Sequence, residues 1–254
     1  MILDKFSLKG RVALVTGAGQ GLGLGMALAL AEAGADVALS TPGDAGSSVA
    51  EVEALGRRAC HVPLDLATAS PEDLAALVGS VVQTLGRIDI LVNNAGVIHR
   101  EAATDHSAAA WRRVLAIDLD AAFFLAQAAG RAMVAQGGGK IIFIASMLSF
   151  QGGILVPSYT AAKHAVAGVT KALANEWAAA GVNVNAIAPG YMATDNTTAL
   201  RGDPVRSEAI LSRIPAGRWG TPADLAGVAV FLASPASDYL NGAIIPVDGG
   251  WLTR

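Results

Sequence analysis

The chain has 254 residues, 53% of them hydrophobic and only 15% charged, and a formal net charge of −3. That is ample apolar material for one large core, and it provides no electrostatic basis for holding nucleic acid or an anionic membrane. A single cysteine, Cys60, excludes an internal disulfide; within ACHVPLDL it reads as a buried structural thiol in a reducing interior.

Short β-type runs alternate with longer helical ones. RVALVTGAG (11–19) reads as the first strand and GLGMALALAEAG (23–34) as the first helix. DVALS (36–40) and SSVAEVEALGR (47–57) make the second pair, HVPLDL (61–66) and PEDLAALVGSVVQTLG (71–86) the third. IDILVNNAG (88–96) is a fourth strand, followed by one long helix over 109–136. KIIFIAS (140–146) is the fifth strand, leading to a helix over 158–181. VNVNAIAPG (182–190) and GAIIPVDGG (242–250) are the sixth and seventh strands. These strands are near-continuous Val/Ile/Leu/Ala runs, the mark of parallel strands covered on both faces. The expected architecture is α/β: a single-domain Rossmann fold over 1–254, with a doubly wound, seven-stranded parallel sheet and helices on both faces.

Residues 194–220 interrupt the alternation with a polar stretch carrying Pro204 and Pro215. An insertion after the carboxyl end of a strand lies over the ligand crevice, so this segment is expected to be a substrate lid. The N-terminus has no apolar signal core and no window approaches a membrane span, so a soluble cytoplasmic protein is expected.

TGAGQGLG (16–23) joins the first strand to the first helix. Its glycines let the backbone approach a phosphate, and the helix start behind them supplies free N–H groups and partial positive charge. The spacing is T-G-x-x-x-G-x-G, through Thr16, Gly17, Gly21 and Gly23, not G-x-G-x-x-G. A dinucleotide loop is often followed by an acid at the end of the second strand. Here that end reads Ser40, Thr41, Pro42, while Asp36 begins the strand and Asp44 lies in the turn beyond. Neither Arg nor Lys is placed to hold a 2′-phosphate, and Gln20 is neutral, so NAD is expected over NADP. Asp65, closing the third strand, suits an adenine amino group or a local cap equally.

Ser146 ends the fifth strand; Tyr159 opens the next helix, with Lys163 one turn later on the same face. A free phenol or ammonium is a poor base at neutral pH. Beside a nicotinamide, two positive charges, Lys163 and the oxidised ring, would flank the phenol and favour its anion. Tyr159 could then take a proton from a substrate hydroxyl while Ser146 holds the same oxygen.

Together, TGAGQGLG, Asp65, NNAG at 93–96, Ser146, Tyr159 and Lys163, the PG at 189–190 and the VDGGW near the end resemble the short-chain dehydrogenase/reductase family over essentially the full length. The resemblance implies that Asn93, Ala95 and Gly96 line the cofactor and that Thr194 in PGYMAT holds the nicotinamide carboxamide. With Gly17, Gln20, Gly21, Leu22, Gly23, Thr41, Asp65, Leu66, Tyr159, Lys163, Pro189, Gly190 and Met192, these make the expected NAD site. It also implies a homotetramer. One position departs: where the family often has an Asn in the long helix, whose backbone binds a water on the Lys, this chain has Asp118. Asp118 is therefore counted with the catalytic set, with the expectation that an Asn there changes activity by less than tenfold.

IASMLSFQGGILVPSYTAAK, NVNAIAPGYMATDNT, IPAGRWGTPADL and SDYLNGAIIPVDGGWLTR are similar to members of that family that oxidise deoxy sugar acids with NAD. A sugar acid needs a cation for its carboxylate, and Arg100 and Arg218 are the candidates. Gln151 and Asn196 could meet hydroxyls, and Met147 and Trp219 could form walls. His99 reads as a solvated loop histidine. The four histidines and lone cysteine show no zinc-type spacing, so no metal is expected. One alternative uses the same residues, a reductase for a related uronate or a generic sugar or alcohol dehydrogenase; another, a catalytically silent dinucleotide sensor for a protein partner, need not retain both Tyr159 and Lys163, and their presence with Ser146 argues against it.

Overall fold

A computed structural model describes residues 1–253. Its strands are β1 Val12–Thr16, β2 Asp36–Ser40, β3 Ala59–His61, β4 Ile90–Asn93, β5 Gly139–Ile144, β6 Val182–Pro189 and β7 Ile244–Val247. They form one parallel sheet of seven strands in the order β3-β2-β1-β4-β5-β6-β7. The helices are α1 Gly21–Glu32, α2 Gly46–Ala54, α3 Pro71–Leu85, α4 Ala108–Leu115, α5 Ala122–Ala135, α6 Pro157–Trp177, α7 Thr198–Gly202, α8 Pro204–Leu211 and α9 Pro222–Ala233.

The strand residues are apolar on both sides because helices cover both faces. In β1, Val12 and Leu14 pack into the core under α3, α5 and α6, whereas Ala13 and Val15 pack into the core under α1 and α9. All five β1 residues are buried, so alternation is invisible in the hydrophobicity of the sequence although present in the side-chain directions. The strand order reverses between β1 and β4, where the carboxyl ends of neighbouring strands part and open a crevice.

Four elements differ from the sequence pattern. The third strand is Ala59–His61, shorter and earlier than 61–66; its last bond to β2 runs from Val62 N–H to Leu39 O at 2.9 Å, and Pro63 follows on this edge strand. Asp65 therefore lies in the turn after the strand. The helix expected over 109–136 is α4 and α5 joined by one π-helical stretch, Ala116–Ala121, which carries Asp118. Helix α9 has no counterpart in the sequence pattern; its stretch PADLAGVAVFLA has no polar face to mark a helical period. Segment 194–220 is not an irregular loop. It holds a short 3₁₀ turn, Asp195–Thr197, then α7 and α8, and Asp203 caps α8 by accepting from the Val205 and Arg206 N–H groups. Its base is closed where Ala193 N–H donates to Gly220 O at 2.7 Å and Gly220 N–H to Tyr191 O at 2.9 Å. Its inner face buries Ile210 and Ile214 against Met147 and Trp251. No described helix is long and apolar enough to cross a membrane.

Candidate active site

The carboxyl ends of β1, β4, β5 and β6 surround a crevice of about 540 Å³. Its first wall is the glycine loop. Gly17 and Gly21 have φ of 62° and 60°, which side-chain-bearing residues rarely adopt, and they turn the chain from β1 into α1. No side chain caps α1 at Gln20, so the N–H groups of its first turn face the crevice without a protein cap. Behind the loop, Thr16 Oγ1 accepts from the N–H groups of Asn94 and Ala95, both at 3.0 Å. Asn94 Nδ2 donates to Thr16 O at 2.9 Å and to Gly17 O at 3.3 Å. These bonds lock the end of β4 to the start of the glycine loop. An uncapped helix start behind a glycine cradle fits the pyrophosphate of a dinucleotide.

The NNAG stretch is corrected by one residue. Asn93 ends β4 and points inward, donating from Nδ2 to Ala122 O at 3.1 Å, and it does not line the crevice; Asn94, Ala95 and Gly96 do. Thr41, Gly43 and Asp44 line the end beyond β2. Asp36 is at the opposite end, paired with Arg58 at 2.8 Å. Lys163 is the only Lys or Arg among the described crevice residues. Asp65 and Leu66 are not among the crevice residues: Asp65 Oδ1 accepts from Ala67 N–H at 2.9 Å, the local cap, and Leu66 packs on the core. On the β6 side, Pro189, Gly190, Met192, Thr194 and Asn196 line the crevice.

Ser146, Tyr159 and Lys163 converge at its floor. Ser146 stands just past β5, and its Oγ accepts from Leu148 N–H at 3.1 Å. Pro157 starts α6, which sets Tyr159 in the first turn and Lys163 one turn on. Lys163 is 4% exposed. Its Nζ donates to Ile144 O at 2.9 Å, lies 3.3 Å from Asp118 Oδ2 and sits 5.3 Å from the Tyr159 ring centre. Asp118 is 1% exposed, and its Oδ1 accepts from Val97 N–H at 2.8 Å. The departure from the usual Asn thus places a carboxylate against the Lys, where its π-helical backbone aims the side chain at the β4 loop.

Burial pulls the Lys163 ammonium down, but Asp118 and then Tyr159 more than offset it, and Lys163 ends above its ordinary value. Burial pushes Asp118 above the usual carboxylate range, with Lys163 and the Val97 N–H drawing it part-way back. Tyr159 also stands above the ordinary phenol value. Burial raises it most; Lys163 lowers it, Asp118 raises it, and Ser146 and Arg100 lower it. The protein's own charges therefore do not make Tyr159 a base near neutrality, and Lys163 alone does not suffice.

The expected substrate residues fare unevenly. Asn196 lines the crevice, and Arg100 stands at its rim with Nη2 donating to Asn196 O at 3.4 Å. Arg218 is a correction: its guanidinium makes two hydrogen bonds to Asp224, at 2.8 and 2.7 Å, and holds that carboxyl well below its usual range. Asp224 is the capping-box residue of α9, so the Thr221–Asp224 cap in GTPADL was the available sequence signal for this pair. Met147 and Trp219 belong to the apolar cluster under the 194–220 segment, and neither Met147 nor Gln151 is among the crevice residues. Cys60 is half-buried, its thiol raised by burial and partly lowered by Arg58. His99 is a partly exposed loop histidine as expected, but it is also paired: its Nε2 lies 3.0 Å from Glu101 Oε2, with His106 alongside.

Comparison with known proteins agrees with this architecture. The family adh_short_C2, described as enoyl-(acyl carrier protein) reductase, matches residues 17–252. The chain is 56% identical to the 2-dehydro-3-deoxy-D-gluconate 5-dehydrogenase of Dickeya dadantii over 255 residues, covering 100% of both chains. It is 56% identical to the protein of that name from Bacillus subtilis, covering 99% of this chain and 98% of the relative. The crystal structure of a gluconate 5-dehydrogenase from Burkholderia cenocepacia in complex with NADP and tartrate superposes with a TM-score of 0.96 at 39% identity, covering 100% of both chains. A glycine cradle at the β1–α1 turn, a Ser–Tyr–Lys floor and end-to-end identity above half lead to one conclusion: the chain is an oxidoreductase belonging to the short-chain dehydrogenase/reductase family.

Proposed function

We propose that the chain is an NAD-dependent dehydrogenase of a deoxy sugar acid, interconverting a secondary alcohol and a ketone on 2-dehydro-3-deoxy-D-gluconate or 2-deoxy-D-gluconate. One observation carries the reading: Ser146, Tyr159 and Lys163 meet at the floor of a nucleotide-sized crevice in a chain 56% identical, end to end, to 2-dehydro-3-deoxy-D-gluconate 5-dehydrogenases. Bound NAD would supply the hydride acceptor. The glycine loop and the first turn of α1 would hold its pyrophosphate, and Lys163 its ribose hydroxyls. Tyr159, as phenolate, takes the proton of the substrate hydroxyl, while the Ser146 hydroxyl donates to the substrate oxygen and so fixes the carbinol carbon. Tyr159 would gain from bound oxidised nicotinamide the second positive charge that favours its phenolate. Arg100 is the cation for the substrate carboxylate, and Asn196 meets a hydroxyl. The 194–220 segment is the lid, and the working assembly is a cytoplasmic homotetramer.

The preference for NAD rests on the end of β2, where Asp44 and no Lys or Arg lines the crevice, so a 2′-phosphate would meet an acid without a cation. The Burkholderia relative holds NADP, so the two nucleotides are tested side by side. Reduced-nicotinamide absorbance is followed with NAD or NADP and 2-dehydro-3-deoxy-D-gluconate, 2-deoxy-D-gluconate, D-gluconate or neutral sugars. Turnover with NAD and the deoxy acids is expected; turnover only with NADPH and an aldehyde uronate would sink the substrate assignment.

Asp118 predicts a pH effect. Its carboxylate raises Tyr159 and Lys163, so Asp118→Asn lowers both. The phenolate then forms at lower pH, and the acid limb of the oxidation profile moves down. Plateau turnover stays within about tenfold, because an amide oxygen still accepts from Val97 N–H. A limb that stays in place or moves up, or a larger loss with fold and nucleotide binding intact, contradicts this.

A further inference from the structure

A second cluster lies beside the crevice, in the loop from β4 to α4. His99 Nε2 and Glu101 Oε2 are 3.0 Å apart, and one ligand-capable atom each from His99, Glu101 and His106 lie within 4.8 Å of one another. The His99 and His106 rings meet edge to face at 5.2 Å, and Trp111 backs His106 at 6.3 Å. Both ring nitrogens of His106 are buried and have no hydrogen-bond partner in the protein. Buried imidazole nitrogens are ordinarily satisfied, so this ring lacks the partner its setting calls for. No other group of three or more His, Cys, Asp or Glu residues among those described is placed to share an ion.

We propose that His99, Glu101 and His106 form a divalent transition-metal site of the zinc type. Two imidazoles and one carboxylate are a ligand set that zinc takes, with water completing a tetrahedron. Bonds of 2.0–2.2 Å place tetrahedral ligands about 3.4 Å apart. A shift of the His106 ring toward the other two closes the cluster to that spacing. Ser107 N–H reaches Glu101 Oε2 at 3.3 Å, and Glu101 N–H donates to Leu155 O at 2.8 Å. An ion here would therefore join the β4 loop to the start of α4, with the backbone anchored to the loop before α6. Sequence spacing hid the site: H-x-E-x-x-x-x-H matches no usual zinc pattern, and only the turn over 102–106 brings His106 back.

The site would work by holding chain, not by chemistry. His99 and Glu101 flank Arg100, the rim residue that meets Asn196, and Ile98 lines the crevice. Fixing the two neighbours of Arg100 fixes where its guanidinium can reach.

Chelator-treated full-length protein is titrated with Zn²⁺ by calorimetry, with bound metal counted after gel filtration and Co²⁺ used as a visible-absorbance probe. Expected are one ion per chain, a tetrahedral Co²⁺ spectrum and a higher melting temperature with Zn²⁺. Affinity should fall at least about 10–100-fold in His106→Gln and in His99→Gln. Both variants keep side-chain bulk and are first shown to fold by circular dichroism. Substoichiometric binding in the parent protein, an octahedral Co²⁺ spectrum, or Zn²⁺ affinity unchanged in either folded variant would overturn the site. None of these readouts depends on turnover, so the outcome is independent of the substrate assignment.

Discussion

Tyr159→Phe is expected to lower turnover by about 10³–10⁴-fold while leaving fold and nucleotide affinity near those of the parent. The substitution removes one oxygen and keeps the ring that stands 5.3 Å from Lys163 Nζ. The other two floor residues cannot substitute. The Ser146 hydroxyl is a far weaker acid than a phenol. Lys163 is held cationic above its ordinary value by Asp118, so it has no lone pair at working pH. Proton transfer would fall to water, a far poorer acceptor than a phenolate. The measurement is single-turnover absorbance with saturating nucleotide, beside a nucleotide-binding titration. Residual turnover above about a tenth of the parent's would remove Tyr159 from the role of general base.

The second large effect is expected from Gly23→Ala, one methyl group at the helix start. A Cβ there would stand 2.2 Å from Gly17 O and 2.5 Å from Asn94 Nδ2. The amide side chain could swing away, but the Gly17 carbonyl is backbone and also accepts from that amide. Relief requires moving the glycine loop off α1, which breaks the cradle rather than a peripheral contact. Overpacking of this kind costs about 1–3 kcal/mol, and each kcal/mol lowers the melting point by about 2–4 °C in a chain of this size. Nucleotide affinity should fall by about 100-fold or more, because the first-turn N–H groups no longer converge on one phosphate. Gly43→Ala is the control: Gly43 also lines the crevice, but a Cβ there meets nothing within 4 Å. Equal losses in both variants would mean that the effect is not the clash at Gly17.

What could be read along the chain is what short-range geometry sets. Strand and helix succession follows from local hydrophobic runs. The glycine spacing follows from one turn, and the Tyr159–Lys163 pairing from one helical repeat. These features survive in any context, and they are enough to imply the parallel sheet, the crevice and its floor. What escaped depends on where an element stops and on what comes back from far along the chain. A strand end displaced by one residue exchanges inward for outward, which is why Asn94 and not Asn93 faces the crevice. Arg218 looked free until the α9 cap brought Asp224 to it. Asp118 stood at an Asn position along the chain, and only the packing of α6 showed Lys163 3.3 Å from its carboxylate. His99 and His106 looked unrelated until a turn folded one against the other. Each of these is a contact between side chains whose directions no local pattern specifies, since packing of distant elements sets them together.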